Sequence, residues 1–215
     1  MTEHDFMELD RRSRLYQRQD TAFGKATALY SYRFENDNGR VPALSEARNY
    51  VDHWDEMRQN NVGLLFWGLP GNGKTFAAAC IANALCEQWV DVRMTTLGCA
   101  LNALPSMNPQ DKLFYLESLK NCDLLILDDF GMERRTDYAQ EQVFGIIDGR
   151  YLARKPLIVT TNLSLQELKQ PEDITEQRSF DRILELCVPV CFDGPSLRQE
   201  KAKEKLALYK ELTGR

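Results

Sequence analysis

Apolar residues along the chain follow two rhythms, a helical spacing first and then an alternation of buried strands with helices. From Ala43 to Gln59 the residues Leu44, Ala47, Tyr50, Val51 and Trp54 recur at helical spacing, which predicts an amphipathic helix. Val62 to Trp67 is a short apolar run ending in glycine and reads as a buried strand. Beyond it helices and strands alternate. Thr75 to Trp89 is Ala-rich and helical, Val90 to Leu97 is a second strand, and Gly98 to Leu104 is a short helix. Pro105 to Pro109 interrupts, and Lys112 to Lys120 is helical again. Leu124 to Leu127 is a buried strand, Tyr138 to Arg154 a helix and Leu157 to Thr161 a strand. Ser164 and Glu167 form a capping box that opens a short helix to Leu168. No element is assigned between Leu168 and Val188. Val188 to Phe192 is the last strand, and Ser196 to Leu212 a charged helix. Alternation of this kind predicts an α/β fold, a mainly parallel sheet covered on both faces.

Ahead of this pattern, Met1 to about Tyr32 is polar and helical, with Arg11, Arg12, Arg14 and Arg18 set among acids. Phe34 to Pro42 is a turn-rich break. The division expected is a short polar helical segment, residues 1–32, and one domain over residues 33–215. No repeat or low-complexity tract is present.

Composition narrows the class. With 215 residues, 43% hydrophobic and 27% charged, the chain can bury a sizeable core. No apolar run approaches the roughly 20 residues that cross a bilayer. The first twenty residues lack the apolar centre of a signal peptide, so no membrane and a cytoplasmic location are expected. Six cysteines include no C-x-x-C pair and have no neighbouring histidine, which argues against zinc; Cys187 and Cys191, in an apolar run, are expected to be buried free thiols. A net charge of −5 means that any nucleic-acid contact must come from a local cluster. Arg134, Arg135, Arg150, Arg154 and Lys155 are the candidates, with solvated helix ends as the plain alternative.

Gly68-Leu69-Pro70-Gly71-Asn72-Gly73-Lys74-Thr75 satisfies G-x-x-x-x-G-K-[ST] in full. Its glycines let backbone N–H groups wrap phosphates at close approach, and the helix that follows, opening through Phe76, points its N-terminus at the same anion. Lys74 would reach the β and γ oxygens and the Thr75 hydroxyl would ligate magnesium. ATP with Mg2+ is therefore the expected cofactor. Leu124 to Leu127 leads into Asp128 and Asp129, and adjacent carboxylates at the end of a buried strand are costly unless a cation sits there. Asp128 would hold the metal, and Asp129 would orient or deprotonate the attacking water. Asn162 closes the strand Leu157 to Thr161, on the edge where open α/β sheets bind ligands. Arg178, Arg182 and Arg198 could each stabilise charge on a γ-phosphate.

These motifs, in this order, resemble those of AAA+ ATPases, and more narrowly the DnaC/DnaI/IstB-like family of helicase loaders and transposition ATPases. The stretch from Leu124 to Leu168 resembles that family, as do Tyr32 to Asn36 and Phe192 to Arg198. The resemblance implies a P-loop NTPase fold with a five-stranded parallel sheet between helices and a small C-terminal helical lid near Arg198. It makes Lys74 and Thr75 part of Walker A, Asp128 and Asp129 Walker B, Asn162 sensor 1 and Arg198 sensor 2. Arg182 best matches the arginine finger, with Arg178 as the alternative. A finger acts across a subunit boundary, so an ATP-dependent homo-oligomer is implied. The short helices between Gly98 and Lys120 occupy the place of an insertion used on single-stranded DNA, and a replicative DnaB-type helicase is the implied partner.

Two departures stand out. The second Walker B acid is Asp where many AAA+ enzymes have Glu, and only about thirty residues precede the module where loaders carry a helicase-gripping domain. Four functions stay open: a helicase loader, a transposition ATPase on duplex DNA, an ATP-binding interaction module with little hydrolysis, and a phosphotransferase. The last would need an acceptor pocket, and no candidate for one is legible.

Overall fold

Five parallel strands make one sheet: β1 (Gly63–Trp67), β2 (Val92–Thr96), β3 (Leu124–Phe130), β4 (Leu157–Thr161) and β5 (Cys187–Cys191). Their spatial order in this computed structural model is β2-β3-β4-β1-β5. It describes residues 3–24, 26–37, 39–41, 43–132, 136–171 and 174–214. The Arg134 and Arg135 proposed for nucleic-acid contact lie outside the described residues.

Parallel strands cannot be joined by tight turns, so each connection crosses over through helices. α4 (Lys74–Glu87) links β1 to β2, α5 (Leu97–Ala103) and α6 (Pro109–Asn121) link β2 to β3, and α7 (Asp137–Ala153) links β3 to β4. α8 (Leu165–Lys169) and α9 (Ile174–Leu186) precede β5, and α10 (Leu197–Thr213) follows it. The α-helices α1 (Glu3–Phe23), α2 (Leu44–Asp52) and α3 (Trp54–Gln59) come before the sheet.

Side chains alternate across each strand, so the apolar runs feed two cores at once. Leu64, Phe66, Ile126 and Ile158 face α4 and α2; Leu65, Leu125, Leu127 and Val159 face α7 and α9. α4 is Ala-rich because it is covered on nearly every side. Ala77, Ala78, Ala79 and Ala82 are fully buried between the sheet and α1 and α2, where longer side chains would not fit.

Several boundaries move from the sequence expectation. The predicted helix Ala43–Gln59 breaks at His53 into α2 and α3. α6 starts at Pro109 because Asn108 caps it, accepting from the Asp111 N–H at 2.9 Å, and proline suits the first helical position. β3 runs three residues further than expected, through both acids to Phe130. α9 is an added element; its apolar residues Phe180, Ile183 and Leu186 pack beneath β1 and β4. β5 is an edge strand paired only with β1, which is why it tolerates Pro189. Cys187 is buried there but Cys191 is exposed, so only the first fits the expectation of a buried thiol; all six cysteines are free.

The first helix shares the main core. Ala22 and Phe23 are buried in it, the Gln19 amide donates to Asn83 Oδ1 at 2.8 Å, and Arg93 donates to the Thr21 carbonyl at 2.7 Å. After β5 the chain given carries one helix, α10, none of whose residues is buried. Among the described residues no helix is long and apolar enough to cross a membrane.

Arg150 corrects a second expectation. It is fully buried and not part of a basic surface. Its guanidinium donates to the carbonyls of Lys120, Cys122, Asp123 and Pro156 at 2.5–3.2 Å, clamping the end of α6 to the starts of β3 and β4. Lys155 is also occupied, donating to the Asn121 carbonyl and lying 3.9 Å from Asp123 Oδ1; Arg154 is exposed. A lysine cannot reproduce the fork of donors. Arg150→Lys should therefore cost about 2 kcal/mol through carbonyls left unpaired, lowering the melting temperature by roughly 4–8 °C. Melting with the unaltered protein would contradict the clamp.

Candidate nucleotide site

The P-loop leaves β1 and turns into α4 against a fixed wall. A Cβ on Gly68, at φ 137°, would lie 2.5 Å from the Phe192 carbonyl oxygen, and one on Gly71, at φ 89°, would lie 2.2 Å from Ser196 Oγ. Gly68 therefore needs glycine for space as well as for backbone conformation, and Gly71 needs it for backbone conformation. The wall is hydrogen-bonded in place. The Phe192 N–H donates to the Trp67 carbonyl at 2.8 Å, the Leu197 N–H to the Gly71 carbonyl at 2.9 Å, and the Asn72 side chain to the Phe192 carbonyl at 3.0 Å. Asn72 is buried, so its side chain anchors the loop and only its backbone could meet a phosphate.

Lys74 opens α4. Its ammonium is buried and donates to the carbonyls of Gly68 and Leu69 at 2.7 and 2.9 Å. Burial lowers its pKa; Asp129 and Asp128 pull it back up, and Arg198 adds to the lowering. These four groups therefore lie within one electrostatic neighbourhood.

Asp128 ends the buried part of β3. Its Oδ1 accepts from the Thr75 hydroxyl at 3.0 Å and from the Thr160 hydroxyl at 2.6 Å. Burial raises its pKa, Thr160 and Thr75 oppose that, and the neighbouring Asp129 reinforces it. Asp129 has a left-handed backbone, φ 54°, and turns into a cleft of about 400 Å³. Pro70, Gly71, Gly73, Thr75 and Phe76 form the floor of that cleft, and Asn162 and Arg198 line it as well.

The opposite wall comes from the segment before α2, through Tyr32, Asn36, Asp37, Arg40 and Val41. Asn83 on α4 holds this strap, donating to the carbonyls of Leu29 and Tyr32 at 2.9 and 2.8 Å. The Tyr32 and Phe76 rings lie 5.3 Å apart, an aromatic edge suited to a planar base. Arg40 pairs with Glu204 at 3.1 Å and Glu200 at 3.4 Å on α10, joining strap to helix. The strap residues had no assigned role in the sequence reading; the tract Tyr32 to Asn36 carried the only signal.

The remaining predicted groups divide. Arg182 lies outside the cleft; its Nε is 2.6 Å from Asp148 Oδ1, and its guanidinium lies 5.0 Å and 5.2 Å from the centres of the Phe144 and Tyr151 rings. Arg178, one turn earlier on α9, is exposed. For a metal, no cluster of three or more His, Cys, Asp or Glu occurs among the described residues. Thr75 and Asp128 instead offer two adjoining hard oxygens, which fits magnesium completed by substrate phosphates.

Comparison with known proteins agrees with this geometry. The model of the family described as IstB-like ATP binding protein matches residues 3–205. Replicative helicase loader DnaC of Escherichia coli (strain K12) is 30% identical over 158 residues, covering 71% of this chain and 61% of that protein. Replicative helicase loader DnaI of Bacillus subtilis (strain 168) is 28% identical over 174 residues, covering 76% and 56%. The chain thus spans about three fifths of the length of these relatives. A crystal structure of DnaI superposes with a TM-score of 0.66 at 24% identity over 82% of this chain and 95% of that one, which speaks to the fold. With its five-stranded parallel sheet and full P-loop, the chain belongs to the DnaC/DnaI/IstB-like family of AAA+ ATP-binding proteins.

Proposed function

We propose that the chain is an ATP-switched helicase loader, a Mg-dependent ATPase that assembles as a homo-oligomer on single-stranded DNA and delivers a replicative DnaB-type helicase. The observation that carries this reading is the convergence of the P-loop, Asp129, Asn162 and Arg198 on one cleft in a chain whose relatives are named helicase loaders.

In this reading the loop N–H groups and the α4 N-terminus hold the phosphates. Lys74 exchanges its loop carbonyls for β and γ oxygens. Thr75 and Asp128 hold magnesium, which when bound offsets phosphate charge. Asp129 orients the attacking water and takes its proton, Asn162 fixes that water, and Arg198 on α10 meets the γ-phosphate. α10 meets the loop at its first turn and the strap through Arg40, so nucleotide contact by Arg198 would couple loop, helix and strap. Arg182, outside its own subunit's cleft and paired with Asp148, would leave that pair to act on a neighbour's nucleotide.

The family description favours a second reading as well, an IstB-like transposition ATPase acting on duplex DNA. ATP turnover measured with and without single-stranded DNA and helicase, alongside ATP-dependent helicase capture, separates them. Stimulation and capture are expected, with Lys74→Ala losing about 100-fold or more of the turnover. No capture in ATP, together with stimulation by duplex DNA, would move the assignment to the transposition branch.

Two further outcomes follow from the site. Raised above its ordinary 3.8, the Asp128 carboxyl binds its proton more tightly in the folded chain, so its ionisation costs stability. That cost develops as pH rises from the ordinary value to the raised folded one and is full above it. Asp128→Asn should thus melt higher at neutral pH, by about 2–4 °C for each kcal/mol relieved, while losing Mg2+-dependent nucleotide binding. The two melting curves should converge at pH below the ordinary value, and equal melting at neutral pH would contradict the account. For the oligomer, Arg182→Ala subunits mixed with Asp129→Asn subunits should regain turnover at shared interfaces; if no mixture does, Arg182 does not act in trans.

A further inference from the structure

Thr160 is fully buried on β4, two residues before Asn162, and the functions above give it no task. Its Oγ1 donates to Asp128 Oδ1 at 2.6 Å and accepts the Asp129 N–H at 3.0 Å. One hydroxyl therefore touches both consecutive acids, the side chain of the first and the backbone of the second.

The strand pairing changes at the same place. Leu127 pairs with Val159 and Phe130 with Thr161, so Asp128 and Asp129 together oppose Thr160 alone. This is a β-bulge, and it has a consequence for the acids. In a regular strand Asp128 and Asp129 would point to opposite faces of the sheet. A bulge bends the strand and re-aims a side chain. Here Asp129 takes the left-handed conformation and lines the cleft, while Asp128 meets the Thr75 hydroxyl. The left-handed region is unfavourable for a non-glycine residue, and the bulge leaves the Asp129 N–H outside the regular ladder. The Thr160 hydroxyl satisfies that N–H. Thr161 secures the far side, its hydroxyl donating to the Phe130 carbonyl at 2.8 Å and accepting the Leu163 N–H at 3.1 Å.

We infer that Thr160 is a positioning residue that locks this bulge, holding Asp128 beside Thr75 while turning Asp129 into the cleft. The inference rests on the proposed roles of the two acids. It also ties the acid pair to the strand that ends in Asn162, so the groups around the γ-phosphate share one rigid frame. A threonine that only filled the core would need its methyl group and any one acceptor; this one makes two bonds of opposite sense to adjacent acids.

The test compares Thr160→Val, which keeps the shape and loses the hydroxyl, with Thr160→Ser, which keeps the hydroxyl. Binding of a fluorescent ATP analogue without Mg2+ should stay within about twofold of the unaltered protein in both. In Thr160→Val the tightening produced by Mg2+ should shrink about tenfold or more and kcat fall by a similar factor, with KM moved less than about threefold. Thr160→Ser should restore both. The inference is overturned if Thr160→Val keeps its Mg2+ response and kcat, or if Thr160→Ser is equally impaired. Should the unaltered protein show no Mg2+ response, the nucleotide reading fails by itself. The ligand-free melting temperature then still judges the contact: the Thr160→Val shift should be smaller in an Asp128→Ala background, and additive shifts would overturn it.

Discussion

A carboxylate lies almost wholly out of water at Asp128, and the site is built around keeping it there. Its oxygen receives one hydroxyl from α4 and another from β4, while Lys74 raises the local positive potential. An unpaired buried charge would cost several kcal/mol, so these donors are a condition for the site as well as part of its chemistry. The same donors fix the order of the parts. Thr75 must be the second residue of α4, and Thr160 must be one residue short of the end of β4.

The P-loop obeys a second constraint, one of space. Its glycines press on the backbone of Phe192 and the side chain of Ser196, so the end of β5 and the start of α10 form the back of the loop. Asn72 and the Leu197 N–H fasten that contact. On the other side the strap before α2 is held by Asn83 and joined to α10 through Arg40. The cleft is thus enclosed by segments at both ends of the sequence, and a ligand filling it would contact all of them.

What was legible in the sequence was local. The strand–glycine–helix order of the P-loop, the apolar run ending in two acids and the capping box at Ser164 each fit within a few residues, and each appears in the structure. The five parallel strands of the sheet match the fold that the resemblance implied. What was not legible depended on pairing across the sheet. The length of β3 and its bulge follow from how Thr160 and Thr161 sit opposite the acids, and no pattern within β3 itself announces them. Arg150 looked like a surface cation because charge is usually solvated; only the carbonyls at the ends of α6, β3 and β4 explain its burial. α9 is a different case. Its apolar residues Phe180, Ile183 and Leu186 recur at helical spacing and bury one face, while Arg178 and Arg182 sit on the same short segment.

Membership of the AAA+ family turns these constraints into a working expectation. The cleft is lined by Thr75, whose hydroxyl meets the Asp128 carboxylate, by a second acid, Asp129, by the strand-end amide of Asn162 and by Arg198 on an unburied helix. The most direct test is a crystal structure with a non-hydrolysable ATP analogue and Mg2+. The account predicts phosphates on the N–H groups from Gly71 to Thr75, the metal between Thr75 and Asp128, and Arg198 turned to the γ-phosphate. A nucleotide bound elsewhere, or phosphates in the loop with the metal away from Asp128, would contradict it.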